Sequence, residues 1–204
     1  KAFIGYGHAP FTASFFLRNH PEEIANLAAA VGLKSVGFLG LTLGILGGVC
    51  GAAGSYAGGW IADKVGRNNI GHQMLTPAVA SLVAVPVYTA AILVDSAIVG
   101  LALLAFNQFL ASTWYGPVYG SAQTIAPLHM RATASAVLLF IINLVGLGLG
   151  PLGVGALSDW LNSGLGLGSA DGVRWALIVA ALFGIVAFAG FWLASRTFSR
   201  DETS

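Results

Sequence analysis

The chain has 204 residues, 56% of them hydrophobic and only 8% charged, with nine basic and eight acidic side chains and a net charge of +1. A soluble domain is about a quarter charged, and so few charges cannot cover the surface of a chain this size, which excludes a soluble globule. The net charge is too small to hold phosphates and the mean hydropathy of +0.81 too high for disorder, so nucleic-acid modules and solvated tails are excluded as well, and the single Cys50 excludes a disulfide scaffold.

A bilayer core takes about 20 apolar residues per helix, and six runs qualify. The first, 2–17, is short and begins at a lysine, so it is either interfacial or a span whose N-terminal part precedes this piece of a longer protein, the favoured reading, and it carries Tyr6, His8, Thr12 and Ser14. The second, 36–62, is rich in glycine and ends in Gly59-Trp60-Ile61-Ala62-Asp63-Lys64-Val65-Gly66-Arg67. The third, 74–94, is almost wholly aliphatic or aromatic. The fourth, 97–125, holds Asn107, Gln108, Ser112, Thr113, Trp114, Tyr115, Tyr119, Ser121 and Gln123. The fifth, 132–157, begins after Arg131 and again concentrates glycine, with Asn143 and Pro151 inside it; the sixth, 173–195, is apolar like the third. The segments between them read as brief connections.

Alternating the sides puts Lys64, Arg67, Arg131, Arg196 and Arg200 on one face and Arg18, Lys34 and Arg174 on the other, which also collects Glu22, Glu23, Asp95, Asp159 and Asp171. The excess of basic residues marks the first face as cytoplasmic, with the Lys64/Arg67 loop and the C-terminus on it. The expected location is a bacterial inner membrane.

The glycines carry a repeat. Gly59 precedes Asp63 by four residues at the end of the second run, and Gly155 precedes Asp159 by four near the end of the fifth. Three spans separate the two copies, so they face opposite sides of the membrane, the pattern of a three-plus-three inverted repeat. Within the first copy, Gly59 admits a close neighbour, Asp63 can offer its charge to the positive N-terminus of another helix, Gly66 is expected to permit a tight turn, and Lys64 and Arg67 anchor the turn among headgroups. Pro151 removes a backbone hydrogen bond and is expected to kink the fifth helix, as a hinge or as a static bend.

The Gly59–Arg67 string resembles the loop between the second and third helices of a major facilitator superfamily half, G-x-x-x-D-[RK]-x-G-[RK]. The stretch His129-Met130-Arg131-Ala132-Thr133, with Gly146, Gly148, Gly150, Pro151, Gly155 and Asp159, is similar to the penultimate helix of spinster-like members, and Tyr6-Gly7, Pro10 and Phe16-Leu17-Arg18 are similar to their seventh. The resemblance covers the whole chain. It implies the C-terminal six-helix half of a twelve-helix transporter, partnered by an N-terminal half that is absent from this sequence. Alternating access, an amphipathic lipid-like or other small organic substrate and coupling to protons are further implications, with no cofactor.

In that family the first helix of each triplet lines the central cavity, the second lies between the halves and the third faces lipid. The cavity is therefore expected to be lined by Tyr6, His8, Asn107, Gln108, Trp114 and Tyr119, the alternative for each being a helix-to-helix hydrogen bond. The conformational motif is expected to comprise Gly59, Asp63, Lys64, Gly66, Arg67, Arg131, Pro151, Gly155 and Asp159. Asn143 reads as glue between helices. His8 is the titratable group placed well inside a span; proton coupling suits its type, although a packed, hydrogen-bonded histidine is the commoner occurrence. No serine-protease string accompanies Ser121, and His8, His20, His72 and His129 are too scattered to hold a metal, which speaks against an enzyme. The rival reading is a self-sufficient six-helix protein that homodimerises through its glycine-rich helices into a channel or carrier.

Overall fold

The computed structural model describes residues 1–201, excluding the side chains of 68, 70 and 198–201, and all the regular structure it describes is helical. In lipid a backbone must satisfy its own polar groups, and a helix does so within one segment. The helices are α1 (Ala2–Asn19), α2 (Pro21–Ala30), α3 (Ser35–Val65), α4 (Gly71–Leu93), α5 (Ala97–Ile125), α6 (Leu128–Gly164) and α7 (Gly168–Asp201). α3 to α7 are long and apolar enough to cross a membrane. α1 has 18 residues, the length required, but Tyr6, His8, Thr12, Ser14, Arg18 and Asn19 lower its hydropathy.

Two expected connections are helical instead. The segment after α1 contains α2, begun by Pro21 with Glu22 and Glu23 in its first turn and burying Ile24 and Ala28. It ends at Gly32, whose φ of +71° reverses the chain so that the Leu33 N–H bonds the Ala28 carbonyl. The segment after Asp159 continues α6 through a π-helical turn at Trp160–Gly164, leaving only residues 165–167 as connection. The basic Arg200 side chain falls outside the described side chains.

Packing shows the repeat directly. α3 lies along α5 and α6 along α1; α4 contacts α5 and α7 contacts α1; α4 and α7 pack on each other. This set is unchanged when α1, α3 and α4 are exchanged for α5, α6 and α7. Close approaches match residue by residue. A Cβ on Gly54 would strike the Phe109 carbonyl, and one on Gly150 would lie 2.8 Å from the Phe3 carbonyl oxygen. Gly58 rests on the Thr113 backbone, while Gly7 takes Val154 at 3.0 Å, so the small partner changes sides. Each long glycine helix also carries a π-helical turn in its middle, Leu46–Cys50 in α3 and Leu144–Leu149 in α6. Pro151 follows the second of these turns, where the widened helix relieves its clash with the preceding turn.

The apolar core, with Phe15, Phe16, Ile92, Ala97, Leu101, Leu161, Val173 and Leu177, gathers at the acidic end of the bundle, with Ile24 of α2 against it. α4 and α7, expected to face lipid, supply much of it; Val79, Leu82, Val83, Leu182 and Phe183 are their exposed side.

Glu23 joins α2 to this end. Its carboxylate accepts from the Ala97 N–H at 2.6 Å, the Ser96 hydroxyl at 3.1 Å and the Ile98 N–H at 3.3 Å, capping α5. The Ala97 N–H above all holds the carboxyl below its usual range, with Ile98, Ser96 and His20 adding to the effect. A depressed pKa contributes stability that is full above the unfolded-state value near 4.5 and disappears as pH falls through the folded-state value. Glu23→Gln is therefore expected to cost at most about 1 kcal/mol at pH 7, solvent screening included, and progressively less as pH falls below about 4.5, read as a melting-temperature difference that narrows on acidification.

Candidate functional site

A cavity of about 370 Å³ opens between α1, α3, α4, α5 and α7. Its position follows from the core. In α1 it takes residues up to Thr12, before Phe15; in α4 it takes Ser81 to Tyr88, before Ile92. In α3, α5 and α7 it takes Leu43, Gln108 and Gly184, beyond core residues Leu39, Leu101 and Leu177. On every one of these helices the cavity lies on the basic-face side of the core, which closes the acidic end.

Of the residues expected there, Tyr6, His8, Asn107, Gln108 and Trp114 line it. Tyr119 does not; one turn further along α5, it stacks on Tyr115, with ring centroids 6.3 Å apart. Trp114 is buried because α5 breaks at Thr113–Trp114: Pro117 lacks an N–H and crowds the Thr113 carbonyl, and the resulting turn swings the indole inward against Tyr115, with ring centroids 4.4 Å apart and planes 29° apart. Gln108 donates to the Ser112 hydroxyl at 3.4 Å. Tyr6 donates to Asn143 Oδ1 at 3.2 Å, tying α1 to α6.

His8 is buried against α4. Its ring lies parallel to Tyr88 at 4.0 Å, the Tyr88 hydroxyl meets Thr12 Oγ1 at 3.3 Å, and Thr12 Oγ1 donates to the His8 carbonyl at 2.9 Å. The Leu177 backbone carbonyl lies beside the same imidazole. Tyr88 and Ser81 are the site residues that sequence reading passes over, having assigned α4 to lipid. The small or polar positions Ser81, Ala84 and Tyr88, spaced as one helix face within an aliphatic run, are the pattern that marks them.

The conformational motif stands at the basic end of α3. Gly59 meets Gly116 of α5, whose added Cβ would lie 2.8 Å from the Gly59 Cα. Gly66 makes no left-handed turn: its φ is −82°, and the Gln73 side chain packs where a Cβ would stand, so a side chain at this position would have to displace it. Lys64 lies 3.7 Å over the Trp60 ring, and Asp63 and Arg67 are exposed. Among the described residues the Asp63 and Asp159 carboxylates have no hydrogen bond or ion pair, so the helix terminus expected beside Asp63 is not within this chain's described part. Arg131 is exposed at the start of its helical segment, and Gly155 packs against Phe11, its Cβ position 3.3 Å from that ring.

A solved bacterial homologue of the human lysosomal transporter spinster, inward-facing and unoccupied, superposes with a TM-score of 0.81 at 26% identity, covering 98% of this chain and 46% of that one. The chain matches the C-terminal half of a spinster-like major facilitator transporter. The occupied inward-facing form gives a TM-score of 0.78 at the same identity, covering 47% of that chain. A curated relative, an MFS-type efflux pump of Mycolicibacterium smegmatis, is 29% identical over 203 residues, 98% of this chain and 44% of the relative. The chain thus spans less than half the length of the relatives it matches. No family model matches it.

Proposed function

We propose that this chain forms one wall of the translocation pathway of a secondary transporter in a cell membrane, moving a small amphipathic organic solute by alternating access. The observation that carries the reading is the cavity: it lies between the first helices of two inverted repeats, closed by core at the acidic end and reached from the basic end. With the basic face cytoplasmic, this is an inward-facing arrangement. The exposed faces of α3 and α6, whose most apolar 18-residue stretches are only 11% and 17% buried, are where the second half of such a transporter would pack. The Gly59–Arg67 loop acts in this reading as the cytoplasmic gate.

Proton coupling through His8 is a weaker reading than ligand contact. The ring is enclosed by Tyr88 and the Leu177 carbonyl, and among this chain's described residues no Asp or Glu lines the cavity to balance an imidazolium.

The test is reconstitution of the full-length protein into liposomes and measurement of uptake for a panel of lysophospholipids and amphipathic dyes. Ala111→Trp, which places an indole in the cavity from a half-buried position, is expected to lower uptake about tenfold or more while the protein still elutes as a folded species. Failure of every solute to move would overturn the transporter reading.

A further inference from the structure

We propose that α2 is a latch on the acidic side of the translocation pathway: through the Glu23 carboxylate it fastens α1 to the N-terminus of α5, and its release lets the acidic end open. This rests on the transporter reading and deepens it by assigning the element that holds one of its conformers.

The inverted repeat makes α2 an exception. In the second repeat only residues 126 and 127 separate α5 from α6, whereas in the first, residues 20–34 separate α1 from α3 and include a helix of 10 residues. The additional helix stands at the acidic end, which is the end closed by core. Among the described residues no such helix stands at the basic end, where the cavity opens.

The first helices of the two repeats form a wedge. Near the acidic end they touch, with the Phe16 ring of α1 lying 3.3 Å from the Cβ position of Gly100 in α5. Toward the basic end they part, leaving Tyr6 and His8 on one wall of the cavity and Gln108 and Trp114 on another. α2 bridges the narrow end of this wedge. Only His20 separates it from α1, and the His20 N–H bonds the Phe16 carbonyl at 2.9 Å, so α2 is joined to α1 with little slack. Ile24 enters the core that also holds Phe15 and Phe16, and Glu23 reaches the Ser96 hydroxyl and the Ala97 and Ile98 N–H groups of α5.

This fastening can release. α2 buries only Ile24 and Ala28, and its bonds to α5 come from one half-buried carboxylate whose place water can take. The tie between α1 and α7 is separate: Arg18 donates to the Ser169 carbonyl at 3.1 Å and Asn19 to the Ala170 carbonyl at 3.3 Å. α1 and α7 can therefore stay together at this end while α5 parts from them. Glu23 does not line the cavity; it is a positioning residue that acts through α5.

The experiment measures maleimide labelling of single cysteines in the full-length protein in nanodiscs, with Cys50 and any cysteine of the other half replaced by serine. Leu101→Cys reports the closed core at the acidic end and Tyr115→Cys the cavity wall toward the basic end. Adding Glu23→Ala is expected to raise the labelling rate of Leu101→Cys about fivefold, the worth of one lost helix cap, and to lower that of Tyr115→Cys. Opposite changes at the two ends are what a shifted conformer ratio produces and what a merely loosened fold does not. Should Glu23→Ala fail to fold, Glu23→Gln, which keeps an acceptor oxygen but loses the charge, is expected to give the same pair of changes at smaller size. Faster labelling at both positions, or no change at Leu101→Cys, would overturn the latch. If that happens while the reconstituted protein still moves a solute, only the latch falls; if the two rates change in opposite directions and no solute is transported, the transporter reading falls instead.

Discussion

Gly54→Ala and Gly58→Ala are each expected to lower the yield and melting temperature of the folded protein sharply, while Gly44→Ala, whose methyl meets nothing within this chain, is expected to leave the packing of this bundle intact. All three lie on the same helix and are chemically the same substitution; they differ in what a methyl would meet. At Gly54 it would strike the Phe109 carbonyl and at Gly58 the Thr113 backbone, whereas at Gly44 it meets nothing within 4 Å. Overpacking costs about 1–3 kcal/mol when side chains can shift aside, and more when the obstacle is backbone, so about 3 kcal/mol or more is expected at each contact. That is a large fraction of the stability of an ordinary domain. Gly150→Ala, the repeat counterpart of Gly54→Ala, faces the Phe3 oxygen at 2.8 Å and the Gly7 nitrogen at 2.9 Å and is expected to be the milder of the two. Fluorescence-detected gel filtration and thermal unfolding in detergent provide the readout. A Gly54→Ala protein that elutes and melts like the parent would show that α3 and α5 are not held at this distance.

The same contrast explains what was legible in the sequence. The glycine series ending in Gly59 and Gly155 exposes the repeat because its cause is local: a helix that must touch a backbone cannot carry a side chain there, and a fixed spacing to Asp63 and Asp159 survives in the order of residues. Hydropathy finds the spans for a similar reason, since lipid acts on every residue of a run. It could not divide the glycines into those that touch a neighbour, such as Gly54, and those that face open space, such as Gly44, because the sequence does not say which side of α3 meets α5. Tyr88 was missed on the same account: the residue looks like any aromatic of a lipid-facing helix until α4 is placed between α5 and α7. α2 escaped notice because its ten residues are too few for a span and bury only Ile24 and Ala28. Tyr119 lies outside this chain's cavity, beyond the break at Thr113–Trp114, which hydropathy does not reveal.

Asp63→Asn is expected to separate stability from function. Asp63 lies in the last turn of α3, where the helix dipole disfavours a negative charge, and among the described residues its carboxylate has no compensating partner. Within this chain it therefore costs stability, and neutralising it should raise the melting temperature slightly, by about 0.3–1 kcal/mol of stabilisation. A residue that is unfavourable for the structure it sits in gains its stabilisation elsewhere, and the proposed gate supplies the place: a helix N-terminus of the other half, approached in one conformer and left in the other. Such a contact in a partly buried setting is worth up to about 2 kcal/mol, so its loss should shift the conformer ratio, and with it the rate of turnover, by up to about thirtyfold. Asp159→Asn offers the matched control at the acidic face, again without a described partner for the carboxylate. The decisive measurement pairs liposome uptake with distances between spin labels on the two halves of the full-length protein. Loss of uptake with a raised melting temperature and a displaced distance distribution is the expected outcome; parental uptake with an unchanged distribution would refute the gate, and loss of uptake with a lowered melting temperature would make Asp63 an ordinary structural residue.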